Sequence, residues 1–390
     1  MPGPLSGFRV IDLTSAVLGP VATQLLGDMG ADVIKVEMPG GDFMRQLGPR
    51  RHPDMAAYFL NINRNKRSVV LDLKTEEGHA AMMDLLATAD VFVHNMRLSA
   101  VDRLRLDYAS VAVRNASIVY AAATGFSKTG PDRDRPAYDD VIQGESGFAW
   151  LNATIAGEPR FVPMAICDKL VGQMLAGAVG MALACRERTG IGQEVHVPML
   201  ESMIAFNMVE HLWHGILAEP EKGLGYPRMF TPHRRPYPTS DGYVCLLATT
   251  DQQWDRLFEA LGRSDLTSDL RFATLGTRTE NIDALYAIIT EEMRKRTTAE
   301  WLERLSRADV PHGTVASLED LVSSPALRAS EFFRRVEHPT EGPMITTDVT
   351  MRFSETPGSL RRLAPRLGEH TADILAELGY DPAKIERLTG

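Results

Sequence analysis

The stretch Phe8-Arg-Val-Ile-Asp-Leu13, followed by Gly19-Pro20 and then Gly30-Ala-Asp-Val-Ile-Lys-Val-Glu37, decides the fold. Two apolar runs of strand length flank a helix-length segment, and the unit takes about 30 residues, the span of a strand–helix–strand crossover. Pro20 suits a helix start, where its missing N–H is one of the groups a helix leaves unbonded anyway. Gly30 fits the helix stop. A second unit follows, with Ser68-Val-Val-Leu-Asp-Leu73 as a strand, a helix from Thr75 to Ala87, and Asp90-Val-Phe-Val-His94 as the next strand. Ser117-Ile-Val-Tyr-Ala-Ala122 adds another. This alternation predicts an α/β fold, a Rossmann-like large domain with a mainly parallel sheet and helices on both faces.

Further along, residues 196–217 read as an apolar helix, and Gly223 to Pro238, rich in Gly, Pro and Arg, reads as a linker or loop. A smaller α+β unit then follows: a strand at 242–248 and helices at 252–261, 278–294 and 298–307. The expected division is 1–200 as the first part of the large domain, 201–225 as a linker helix, 226–330 as the small domain, and 331–390 as the return linker and the rest of the large domain, with a last helix at 372–378.

Composition narrows the function. A formal net charge of -9 over 390 residues argues against nucleic-acid binding. Cys167, Cys185 and Cys245 form no paired framework or metal spacing, which points to a reducing compartment. The N-terminus has no basic region followed by an apolar run, and the apolar stretch near 170–185 reads as too short and polar-flanked to span a bilayer. A cytoplasmic protein with no membrane partner is expected. The ten histidines form no His-x-x-x-His or His-Glu-x-x-His, so no metal site is expected. The first strand–helix turn, Thr14 to Pro20, lacks Gly-x-Gly-x-x-Gly, and no Walker loop is present, so nicotinamide or nucleotide chemistry is disfavoured.

Asp168 is the most informative single residue. It follows Val162-Pro-Met-Ala-Ile-Cys167 and precedes a helix of small residues that Thr189-Gly190 closes. As an N-cap it is worth about 1 kcal/mol. As a nucleophile it gains from the same place, because a helix N-terminus favours the ionised carboxylate. Along that helix Gly172, Ala176, Gly180 and Ala184 recur at i, i+4 and allow close approach of another backbone. Against the acidic whole, Asn63-Arg64-Asn65-Lys66-Arg67 stands out as basic, with Lys74, Arg97 and Arg103 on nearby elements. A solvated turn explains such a run; if the residues cluster, they make an anion site.

The order of these segments resembles the class III CoA-transferases, the group that includes formyl-CoA transferase, the carnitine CoA-transferases (L-carnitine dehydratase/bile acid-inducible protein F proteins) and the alpha-methylacyl-CoA racemases. The resemblance runs over nearly the whole chain. It is carried by Val10-Ile-Asp-Leu13 with Gly19-Pro20, Gly30 to Glu37, Asn63 to Ser68, Leu71-Asp-Leu-Lys74, Thr124-Gly-Phe126 with Thr129-Gly-Pro131, Tyr138-Asp139, the Asp168 helix with Thr189 to Gln193, Val310-Pro311, and Ala364 to Thr371. It implies a large domain built from both chain ends with a small domain inserted, and an interlocked homodimer whose active site lies between the large domain of one chain and the small domain of the other.

The resemblance also implies that Asp168 is the nucleophile of a transfer of coenzyme A from an acyl-CoA to a small carboxylic acid, through an aspartyl covalent intermediate and with no prosthetic group. Coenzyme A binding maps onto Leu71, Asp72, Leu73 and Lys74, onto Asn95, Met96, Arg97 and Arg103, and onto Ala137, Tyr138 and Asp139 of the Pro136–Asp139 segment, with Asn65 to Arg67 assisting. The racemases carry a histidine where this chain has Tyr138, whose ordinary pKa of about 10 suits acid/base work poorly; transferase is the reading over racemase. A non-catalytic coenzyme A-binding dimer is the alternative of another class. The formyl-CoA/oxalate-type enzymes have a glutamine at the position of Val17 and a tryptophan at that of Leu47, and their glycine-rich loop is not visible here. These departures point to an acid larger or more apolar than oxalate.

Overall fold

The computed structural model describes residues 3–389. Six strands, β1 (Arg9–Leu13), β2 (Asp32–Glu37), β3 (Lys66–Val70), β4 (Val91–His94), β5 (Val119–Thr124) and β6 (Gln193–Pro198), form one sheet in the order β3-β2-β1-β4-β5-β6. Every pairing in it is parallel. Strand order reverses between β1 and β4, and in an open parallel sheet the crevice beyond the carboxyl ends at that reversal is where ligands bind.

Both faces of the sheet are covered, so its strands read as continuous Val/Ile/Ala runs. Val10, Val33, Val91, Val119 and Ala121 face one side, where α1 (Leu18–Asp28) packs. Ile11, Ile34, Val69, Phe92 and Ala122 face the other. Along the chain follow α2 (Ala57–Ile62), α3 (Glu76–Ala87), α4 (Leu98–Arg103), α5 (Tyr108–Arg114), α6 (Asp139–Glu145), α7 (Phe148–Ala156), α8 (Ile166–Thr189) and α9 (Met199–His211). The second face is closed by α3, α5 and the helix Thr371–Glu377, whose Ile374 and Leu375 are fully buried.

α8 is 24 residues long and passes for a bilayer-crossing helix by length and composition, which corrects the shorter span read from the sequence. Its stripe Cys167, Val171, Leu175, Val179 and Leu183 is buried in the first core cluster. The small-residue row splits in two. Gly172 lies against α1, where a Cβ would stand 2.6 Å from the Leu18 carbonyl oxygen, whereas nothing lies within 4 Å of a Cβ at Gly180.

Two further elements differ from the sequence reading. Residues 196–198, read as the start of an apolar helix, belong to the strand β6, because Val195 and Val197 alternate with polar residues at period two. β3 begins at Lys66 rather than Ser68, which brings the basic segment into the sheet.

The chain forms two compact units: one of residues 1–149, 161–206 and 329–390, and one of residues 150–160 and 207–328. Of the four divisions, one falls inside α7, one just after it, one inside α9 and one in the short helix Pro325–Ala329. The second unit holds a small antiparallel sheet of Tyr237–Pro238, Tyr243–Leu246 and His312–Thr314. Its core gathers Trp254, Phe258, Leu285, Ile289 and Trp301. Four of its helices start at Thr250, Thr274, Thr297 and Ser317 with capping boxes, in which side chain and backbone satisfy each other's free donors.

Candidate active site at the sheet reversal

The crevice between β1 and β4 is fixed by one side chain. Asn95, just past the end of β4, accepts a hydrogen bond at Oδ1 from the Ser15 backbone N–H (2.9 Å) and donates from Nδ2 to the Ser15 carbonyl (2.8 Å). The peptide after β1 is thus held from the neighbouring strand. Two cavities lie along this crevice, and the clamp lines the first. A small one of about 160 Å³ is lined by Ala16, Leu18, Phe43, Arg97, Tyr138 and Asp168, among others. A large one of about 1080 Å³ is lined by Met38, Asp72, Leu73, Lys74, Arg103 and Arg105, among others. Met96 lines both, so it is the residue they share.

Asp168 reaches the small cavity from the first turn of α8. It is not the cap: α8 begins at Ile166 with Ala165 before it, so Asp168 is its third residue. Its backbone N–H donates to Asp139 Oδ1 at 2.9 Å, and Gln143 Nε2 donates to Asp139 Oδ2 at 2.6 Å. The buried Asp139 carboxylate is therefore fixed beside Asp168. Burial first, and the Asp139 charge second, push the Asp168 carboxyl up to about 7. This reverses the sequence expectation that the helix terminus keeps the group well ionised. A helix end contributes about 0.3–1 kcal/mol, less than one pKa unit, and burial beside a second carboxylate outweighs it. The neighbouring Cys167 thiol is buried and pushed up to about 12, which removes it as a nucleophile.

The other sequence candidates fall into three groups. Asn95, Met96, Arg97, Ala137 and Tyr138 line the small cavity; Asp72, Leu73, Lys74, Met96 and Arg103 line the large one. Leu71 lines neither: it is buried in the core against α3. Asp139 faces the Asp168 backbone. Lys74, Arg97 and Arg103 form no ion pair among the described residues, so these cationic groups line the crevice unpaired.

The basic segment at 63–67 does not belong to this group. Arg64 pairs with Asp28 (2.7 Å), Lys66 with Asp12 (3.0 Å), and Arg67 with Asp32 (2.7 Å) and Glu377 (2.6 Å). Asn65 donates to Asp28 Oδ1 at 2.7 Å and to the Ser359 carbonyl at 2.9 Å. All four are buried, and they bind the first strands to the C-terminal segment. The expectation that Asn65 to Arg67 assist phosphate binding is overturned, because their charges are already matched.

Sequence reasoning passed over Tyr58. On α2, half-buried, its hydroxyl is pushed up by burial and by the charges of Asp168 and Asp139, which places it among the groups around Asp168. No sequence pattern marks it, since Ala57-Tyr-Phe-Leu reads as plain helix. Phe43 and Met199 are further cavity residues without a sequence signal.

The family model described as CoA-transferase family III matches residues 5–371. The succinate–glutarate CoA-transferase of Agrobacterium fabrum is 36% identical over 387 residues, covering 96% of each chain. The succinyl-CoA:glutarate CoA-transferase of Mus musculus is 32% identical, covering 99% of this chain and 89% of that one. The crystal structure of a CAIB/BAIF family protein from Brucella suis superposes with a TM-score of 0.80 at 33% identity, over 97% of this chain and all of the other.

Proposed function

The chain belongs to CoA-transferase family III, and from that membership we propose that it moves coenzyme A from an acyl-CoA to a carboxylic acid with Asp168 as covalent nucleophile. The observation that carries the reading is the position of Asp168 in a small cavity that shares Met96 with a large cation-lined one. The large cavity suits the nucleotide end of the thioester, and the small one the reacting carbonyl.

In the first step the Asp168 carboxylate attacks the thioester carbonyl. The C–S bond breaks, coenzyme A leaves as thiolate, and an aspartyl–acyl anhydride remains. The thiolate then attacks the Asp168 carbonyl carbon, which expels the donor acid and leaves an aspartyl thioester. The acceptor carboxylate attacks that thioester and again releases the thiolate, which takes the new acyl group and frees Asp168. One thioester replaces another, so neither ATP nor a metal ion is needed. With its carboxyl near 7, about half of Asp168 is ionised at neutral pH, and the ionised fraction is more basic than an ordinary aspartate and so a better nucleophile. The amino end of α1 has no side-chain cap and reaches the cavity at Leu18, which supports its first N–H groups as donors to the tetrahedral oxyanion.

For the acceptor we infer a dicarboxylic acid of four or five carbons. The relatives above are named for succinate and glutarate, and Val17 and Leu47 stand where oxalate-type enzymes carry glutamine and tryptophan. A homodimer in the cytoplasm completes the proposal. Large apolar side chains left exposed, among them Met181 and Ile191 on the first unit and Val209 and Ile216 on the second, support burial against a second copy. The test is intact mass spectrometry after incubation with succinyl-CoA, trapping with hydroxylamine and mapping of the peptide. A hydroxamate on Asp168 supports the mechanism. Absence of any adduct together with deuterium exchange at C2 of a branched acyl-CoA would overturn it in favour of a racemase.

A further inference from the structure

The large cavity carries two groups that the coenzyme A reading leaves unused, Arg105 and His79. Arg105 stands just past α4. The Leu106 N–H donates to the Val101 carbonyl (3.1 Å) and the Arg105 N–H to the Asp102 carbonyl (3.0 Å), the pattern of a helix closed by one left-handed residue. That residue is Arg105, with φ of 51°. Glycine fills such a position without strain, and an arginine does not. Its side chain nevertheless makes no ion pair or hydrogen bond among the described residues. The strain is therefore not repaid within the described chain, and the exposed guanidinium lies on the cavity wall beside Lys74 and Arg103.

His79, on α3, faces the same cavity with a second unmet demand. Its Nε2 is buried and has no hydrogen-bond partner among the described residues. A buried ring nitrogen without a partner costs stability unless a ligand supplies one. The two carboxylates on this wall, Asp72 and Glu76, lie at the entry to α3, where Asp72 Oδ1 accepts from the Lys74 N–H (3.0 Å). Three cations and an imidazole thus line one cavity of a size for a nucleotide that carries both a pyrophosphate and a separate phosphate monoester. Lys74 and Arg103 suffice for a pyrophosphate, and the additional guanidinium and ring nitrogen suit a dianionic monoester, whose oxygens take forked guanidinium bonds.

We propose that Arg105 and His79 form a subsite for the 3′-phosphate of coenzyme A and make the protein discriminate against the dephosphorylated form. This rests on the coenzyme A reading above. The test is calorimetric titration with coenzyme A and with dephospho-coenzyme A, on the wild-type protein, Arg105→Gly, Arg105→Lys and His79→Leu. Arg105→Gly relieves the left-handed strain and folds at least as well as the wild type. The expected result is a wild-type preference for coenzyme A of about tenfold or more, the scale of one charge-assisted hydrogen bond. Arg105→Gly brings that preference to within about threefold by weakening coenzyme A alone, Arg105→Lys restores part of it, and His79→Leu lowers it less. Equal weakening of both ligands by Arg105→Gly, or no change in either, overturns the subsite. Equal binding of the two ligands by the wild type overturns the subsite and leaves the coenzyme A reading standing; binding of neither overturns both.

Discussion

The Asp168 N–H donates to Asp139 Oδ1 across 2.9 Å, so the carboxylate that fixes the start of α8 also adds to burial in holding back ionisation of Asp168. One contact serves position and electrostatics together.

A pH dependence follows. The ionised form of Asp168 reacts, so kcat/KM for the acyl-CoA should rise with pH to a plateau above about 7 and fall about tenfold per unit below it. Asp139→Asn removes the neighbouring charge and should move the inflection to lower pH. A pH–rate series on both proteins checks this; an unmoved inflection contradicts the assignment.

Asp168→Asn should abolish transfer and stabilise the protein. A carboxyl raised on folding holds its proton more tightly in the folded state than in the unfolded one. Ionising it therefore costs the folded state stability, a cost absent below about 3.8 and complete above about 7. Since Asp168 is not the α8 cap, no capping loss offsets the gain. We expect about 2 kcal/mol of added stability at pH 8, shrinking toward pH 4, as read by urea unfolding at the two pH values.

Lys74→Ala should weaken coenzyme A binding about tenfold, with a smaller difference at high salt. The rate of Asp168 acylation at saturating donor should stay within about threefold, because Lys74 lines the large cavity and not the small one. Single-turnover kinetics separate the two effects.

Arg64→Met should show the opposite pattern. It leaves Asp28 buried without its partner, which costs about 3–5 kcal/mol. The coenzyme A affinity of the folded fraction should be unchanged. Thermal melts and titration calorimetry report the two quantities separately, and a loss of affinity without a loss of stability would return the basic segment to the ligand site.

The sequence by itself determined the alternation of strands and helices, the parallel sheet, and the candidacy of Asp168, Lys74, Arg97 and Arg103. Each of these is written in local patterns: period-two or continuous apolar runs, Gly and Pro punctuation, and the ordered motifs that carry the family resemblance. It missed β6, whose last residues, 196–198, were read into the helix that follows. The tertiary structure decided everything that depends on what a charge meets. Arg64, Lys66 and Arg67 look like a phosphate site in sequence, but their carboxylate partners, Asp28, Asp12 and Asp32, lie 36, 54 and 35 residues upstream. Lys74 and Arg103 meet no such partner among the described residues and stay free for a ligand. The ionisation of Asp168 was decided in the same way, by burial and by Asp139, a residue 29 positions away that only the packing of α6 against α8 brings to it. Patterns of hydrophobicity are local in the chain, but desolvation and charge pairing are local only in space.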